Sequence, residues 1–128
     1  MVVLLVEDDL DDQEFIRQAF DELGRGHKLE IANNGREAIE RLSEMPPHAL
    51  PCLIILDINM PVLDGIEMLR ILKSEQKFSD IPKVVFTTSN SITYKEESLS
   101  NGAADYLVKP SEMRSLVSSI EKMLHFCS

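Results

Sequence analysis

The sequence predicts an α/β fold, a doubly wound parallel sheet of five strands, and two observations carry that prediction. Val2–Val6, Leu53–Leu56, Val84–Phe86 and Tyr106–Val108 are short, nearly all apolar runs. Runs of this kind read as strands buried on both faces of a parallel sheet. Helical periodicity fills the intervals between them, so that β and α alternate five times. Right-handed crossovers then place helices on both faces of one sheet.

Each element has its own signal. After the first strand, Phe15, Ile16, Ala19, Phe20 and Leu23 recur at helical spacing, and Gly24-Arg25-Gly26 stops the helix. Leu29 and Ile31 alternate as a second strand. Gly35 precedes a helix with Ala38, Ile39 and Leu42 on one face. Pro46, Pro47 and Pro51 make the Met45–Pro51 connection stiff, either a spacer or a partner contact. A helix from about Gly65 to Ser74 carries Ile66, Leu69, Ile71 and Leu72. Ile81–Phe86 forms the fourth strand, with Pro82 near its start, where a missing donor is tolerated. Ser89–Ser100 reads as a marginal helix whose aliphatic anchors are Ile92 and Leu99, closed by Asn101-Gly102. Ala103–Val108 is the fifth strand. The last helix starts near Ser111 and buries Leu116, Val117, Ile120, Met123 and Leu124.

The chain has 128 residues, which fit one domain spanning 1–128. A net charge of −9 argues against nonspecific binding to nucleic acid or an anionic membrane, though it leaves room for a local basic patch. Neither a direct nucleic-acid partner nor a membrane is expected. No apolar run is long enough to span a membrane, and no signal peptide is evident, so the expected location is cytoplasmic. Cys52 and Cys127 lie 75 positions apart without metal-ligand spacing. The plain expectation is two reduced thiols, Cys52 packed in the core and Cys127 in a loose tail. His27, His48 and His125 show no ligand spacing and read as surface residues.

In open α/β sheets the functional crevice lies beyond the carboxyl ends of the strands. Glu7-Asp8-Asp9 follows the first run, Asp57 the third, Thr87-Thr88 the fourth and Lys109-Pro110 the fifth. A cluster of carboxylates that needs a cation therefore faces one ammonium. Asp9 reads as the N-cap of the first helix. Asp11, Asp12 and Glu14 read as its solvated first turn.

These stations, with Leu56-Asp57-Ile58-Asn59-Met60-Pro61, Asp64-Gly65 and Tyr106-Leu107-Val108-Lys109-Pro110, resemble the receiver domain of two-component response regulators over essentially the whole chain. The resemblance implies a flavodoxin-like sheet of order 2-1-3-4-5. It also implies that Asp57 is the phosphoacceptor, since a carboxylate oxygen can attack a phosphorus held in line. It implies Mg2+ held by Asp8, Asp57 and the backbone carbonyl of Asn59, with Glu7 acting through water, in keeping with a hard cation that prefers oxygen ligands. Lys109 would pair with the phosphoryl oxygens, aimed inward by a cis bond to Pro110, and the Thr87 hydroxyl would donate to them. Thr87 and Tyr106 would form the conformational relay, while Asn59 and Ser89 would tune the lifetime of the aspartyl phosphate. Thr88 stands where the family more often has alanine or glycine, which tightens access.

The function implied is a phosphorylation-controlled switch served by a sensor histidine kinase or a phosphotransfer protein, catalysing only its own phosphorylation and dephosphorylation. A downstream protein, or a second copy of the chain, would read the 89–125 face. The chain ends soon after its last helix, which suits a stand-alone receiver, although a piece of a longer regulator would read identically. Two alternatives stand beside it: a pseudo-receiver that is never phosphorylated, and a haloacid-dehalogenase-type phosphatase. The latter needs a second aspartate where Asn59 stands.

Overall fold

The computed structural model describes residues 1–127. Five parallel strands, β1 (Val2–Val6), β2 (Lys28–Ala32), β3 (Leu53–Leu56), β4 (Lys83–Thr87) and β5 (Asp105–Val108), form one sheet of order β2-β1-β3-β4-β5. The helices are α1 (Leu10–Leu23), α2 (Gly35–Glu44), α3 (Gly65–Ser74), the single turn α4 (Gln76–Ser79), α5 (Ile92–Ser100) and α6 (Met113–Leu124).

Alternation along the strands divides the core. Leu4, Val6, Ile54, Leu56 and Val85 face α2 and α3, against Leu42, Met68, Leu69 and Leu72. Val3, Leu5, Ile55, Val84 and Phe86 face the other way, against Ile16 and Ala19 of α1 and Leu116, Ile120 and Met123 of α6. Successive strand side chains point to opposite faces, so an apolar run serves both layers. The central strands β3 and β4 are buried along their whole length, while the edge strands β2 and β5 are buried in part.

Helix ends follow from local chemistry. Asp9 caps α1 by accepting from the Asp12 amide at 3.0 Å, and Gly24 closes the helix in the left-handed region at φ 59°. Asp64 and Glu67 form a reciprocal capping box at the start of α3. Pro82 lies just outside β4, where it lends its carbonyl to the Ile54 amide at 2.9 Å. The Met45–Pro51 connection holds a 3-10 turn at Pro47–Ala49, and Met45 and Leu50 pack against the core.

Four expectations are corrected. Cys52 and Cys127 are joined in a disulfide, with Cα atoms 5.0 Å apart, rather than held as free thiols. Cys127 is accordingly buried in a 3-10 turn, His125–Cys127, instead of lying in a loose tail. In α5, Ile92 is 75% exposed and Leu99 44% exposed, so neither anchors the helix. The inner face is made by Tyr94, packed against the core, and by buried Ser98, whose hydroxyl donates to the Tyr94 carbonyl at 2.7 Å. A small residue with its own polar group satisfied inside the helix lets the backbone approach the sheet. His27 is half-buried, and its Nδ1 has no hydrogen-bond partner.

The turn at α4 also relies on Lys83, a residue that gives no signal in the sequence. Its side chain is buried and donates to the carbonyls of Phe78 at 2.7 Å and Ser79 at 3.1 Å, closing the end of α4. Burial lowers its pKa, against the charge of Asp80.

Candidate functional site

The carboxyl ends of β1, β3, β4 and β5 meet as the topology requires. Glu7 follows β1 and is buried, its amide donating to the Ala32 carbonyl of β2 at 3.0 Å. Asp57 follows β3 and is also buried. Its Oδ1 accepts from the amides of Ile58 at 2.7 Å and Asn59 at 3.4 Å, which fixes the carboxylate and turns Oδ2 toward Lys109. Asp8 and the Asn59 side chain stand exposed beside them.

Lys109 is the hub. Its Nζ donates to Glu7 Oε1, to Asp12 Oδ2 at 2.9 Å and to Asp57 Oδ2 at 2.9 Å. The ammonium has three donors, and three carboxylates take them. The Lys109–Pro110 bond is trans, contrary to the expectation of a cis bond, and Lys109 reaches the carboxylates all the same. Asp12 is the residue that sequence reasoning missed. Its place in the acidic first turn of α1 suggests solvation, yet it shares the buried lysine.

Burial opposes charge at both ends of this cluster. At Glu7 burial outweighs the Lys109 hydrogen bond and charge, and the pKa is pushed up to about 7. At Lys109 burial acts downward but loses to the hydrogen bonds and charges of Glu7 and Asp57 together, so its pKa is raised. Burial thus favours the neutral form of Glu7, while the carboxylates around Lys109 keep the ammonium charged.

A pH dependence follows. Glu7 has a folded pKa of about 7 against an ordinary 4.5, so the folded chain holds a proton that the unfolded chain releases. That contribution is fully present below the ordinary value and lost as pH rises through the folded one. In chelator, the protein is expected to be more stable at about pH 5 than at about pH 8, by at most about 3 kcal/mol from this group, and so to melt higher at the lower pH. Glu7→Gln should remove most of the difference in a thermal melt series. An unchanged slope in that variant would assign the dependence to other groups.

Thr87 ends β4 with no exposure, and its Oγ1 accepts from the Ser89 amide at 3.3 Å. The Tyr106 ring is buried, and its hydroxyl donates to the Ser89 carbonyl at 2.7 Å. Burial pushes the Tyr106 hydroxyl up, with the charge of Asp57 adding to the effect. Both ends of the expected relay thus meet on the backbone of Ser89.

Glu7, Asp8 and Asp57 are hard oxygen donors at the ends of two adjacent strands, a donor set that suits a divalent cation. Glu7 and Asp57 are buried and have a single ammonium between them, so a cation there would relieve their repulsion. Among the described residues, no three histidine, cysteine or carboxylate side chains are already gathered around one metal position. The residues fit the cation, with Lys109 drawn in among them.

This is a doubly wound sheet with a carboxylate–lysine centre at the carboxyl ends of its strands. The response regulator receiver domain family profile matches residues 3–121, and the chain belongs to that family. Curated relatives include FilR2 of Methanothrix harundinacea, named a probable methanogenesis regulatory protein. It is 33% identical over 98% of this chain and 82% of its own length. MprA of Mycobacterium leprae, named a response regulator, is 36% identical over 97% of this chain. The chain spans about half the length of MprA (51%). Among solved structures, the Mn(2+)-bound form of response regulator Rcp1 matches with a TM-score of 0.84 at 30% identity, covering 98% of this chain and 92% of that one. The phosphorylated cyanobacterial phytochrome response regulator RcpA gives 0.86 at 29%, covering 98% and 91%. Family membership replaces the haloacid-dehalogenase alternative. Receivers of this family are regulatory signalling domains that work with histidine kinases or phosphotransfer proteins, and they generally bind Mg2+.

Proposed function

We propose that the chain is a phosphorylation-controlled switch whose phosphoacceptor is Asp57. The supporting observation is the Asp57 carboxylate itself, held by two backbone amides through Oδ1 with Oδ2 2.9 Å from the Lys109 ammonium. An Asp57 oxygen attacks the phosphorus of a phosphohistidine on the kinase or phosphotransfer protein. The new O–P bond forms as the P–N bond breaks, and the imidazole leaves with the electron pair. Lys109 then follows the charge onto the phosphoryl oxygens, and the Thr87 hydroxyl donates to another. Asp8, Asp57 and the Asn59 carbonyl would hold Mg2+, with Glu7 joined through water. That cation supplies charge neutralisation between the carboxylates and the incoming phosphoryl group. Asn59 and Ser89 flank the position where hydrolytic water would enter and set the lifetime.

Movement of Thr87 toward the phosphoryl group pulls on Ser89 and through it on the Tyr106 hydroxyl. The reader of that change is a downstream protein or a second copy docking on residues 89–125, where Ile92, Leu99 and Val108 stand exposed. The same reading assigns the chain to the cytoplasm beside its phosphodonor. Among the described residues, no helix is long and apolar enough to cross a membrane.

With magnesium and acetyl phosphate, intact mass is expected to show a gain of one phosphoryl group, lost in alkali. Asp57→Asn should show none while keeping its fold, because the amide retains the shape and lacks the nucleophilic oxygen. Phosphorylation of Asp57→Asn at the wild-type rate would remove Asp57 from this role, and an unreactive wild type would favour a pseudo-receiver.

A further inference from the structure

The three carboxylates on Lys109 are not equivalent. Glu7 and Asp57 belong to the set that would take a divalent cation, whereas Asp12 stands apart on the first turn of α1. Its side chain is 37% exposed, against 2% for Glu7 and 11% for Asp57. A cation arriving between Glu7 and Asp57 meets the ammonium already there, and like charges at that distance repel strongly in a buried site. The ammonium, on a side chain only 8% exposed, cannot be left without a partner, because an uncompensated buried charge is strongly destabilising. Among the described residues, Asp12 is the one further carboxylate in salt-bridge contact with it. A cleft of about 260 Å³ opens on the same side, lined by Asp12, Phe15, Thr88, Lys109 and Pro110 among others, and by neither Glu7 nor Asp57. The lysine has both a partner and room to turn toward it.

We propose that Asp12 is a positioning residue for cation entry, the carboxylate that receives Lys109 as the ammonium yields Glu7 and Asp57 to the divalent ion. Asp12 acts through Lys109 and does not touch the ion. The inference rests on the cation reading given above. Without Asp12, Lys109 has nowhere to go and competes with the ion for its ligands, so the ion binds less well.

The test is a titration of Mg2+ into the unphosphorylated full chain by calorimetry, with wild type, Asp12→Asn, Lys109→Ala and the double variant. Asp12→Asn leaves the helix cap intact, since that bond uses the Asp12 backbone amide. It should weaken Mg2+ binding about tenfold, which corresponds to roughly 1.4 kcal/mol. In the Lys109→Ala background the same substitution should change the affinity little. Asp12→Glu should restore part of the loss, because the carboxylate is retained. Equal weakening with and without Lys109 would overturn the proposal, showing that Asp12 acts by its own charge on the ion. No weakening in Asp12→Asn would overturn it as well. If Lys109→Ala does not fold, Lys109→Gln takes its place in the cycle. Failure of wild type to bind Mg2+ at all would remove the cation reading together with this inference, and only the wild-type arm reports that outcome.

Discussion

Cys127→Ser is expected to destabilise the protein by roughly 4 kcal/mol, and reduction of the wild type by a small-molecule dithiol should do the same. The Cys52–Cys127 bond closes a loop of sequence separation 75, and a cross-link over so long a loop removes much of the freedom of the unfolded chain. The bond also fixes α6, whose inner face of Leu116, Ile120 and Met123 covers one side of the sheet. Loss of the tether should lower the melting temperature by more than about 10 °C. Cys127→Ser should then be insensitive to reductant, whereas wild type should fall to the variant's level. A wild type whose melting point ignores reductant would show that the pair contributes little to stability.

The pairing was hidden from sequence for a reason of scale, since a separation of 75 positions leaves no local signal. One geometric clue existed. Strands run from one end of the sheet to the other, and each following helix runs back, so the end of α6 returns to the end where β3 begins. Cys52 sits at that end. The strands themselves were legible because a parallel strand buried on both faces needs an unbroken apolar run, and Leu53–Leu56 is one. Asp57 was legible with them, since a strand end fixes the place of the next polar residue.

Local surroundings were harder to read. Asp12 reads as part of a solvated turn, but it lies one turn before Ile16, and Ile16, Ala19 and Phe20 are the buried residues of α1. The inner stripe of the helix begins with an acid, and that was the available sign of a buried partner. In α5 the apolar pair Ile92 and Leu99 pointed to the wrong face. The inner positions, Tyr94 and Ser98, are four apart and look polar, so the pattern favoured the exposed side. The Asp64-Gly65 motif is legible in the sequence, but the physical reason for its glycine is not.

That reason is a close approach of two backbones. Gly65 opens α3 and donates its amide to the Ile58 carbonyl at 2.9 Å, which lays the helix start directly on the chain leaving β3. A Cβ at position 65 would lie 2.3 Å from the Asp57 carbonyl oxygen and 2.8 Å from the Ile58 Cα. Both obstacles are backbone, and no side chain can swing aside to admit a methyl group. Gly65→Ala must therefore push α3 away or move the peptide that carries Asp57. Overpacking of this kind costs about 3 kcal/mol or more when nothing flexible can yield. The displaced Asp57 would also lose alignment with Lys109, and a misplacement of about 1 Å in reacting groups can slow a reaction roughly 100-fold. Denaturant unfolding and acetyl-phosphate labelling should both be impaired in Gly65→Ala, under conditions where the variant remains folded. Gly35 is a useful comparison, since its Cβ would meet the Leu63 carbonyl at 2.9 Å, a backbone contact away from Asp57. Gly35→Ala should lose stability with little change in the labelling rate of the folded fraction. If Gly65→Ala were labelled as fast as Gly35→Ala, the close approach at Gly65 would serve packing alone and not the placement of Asp57.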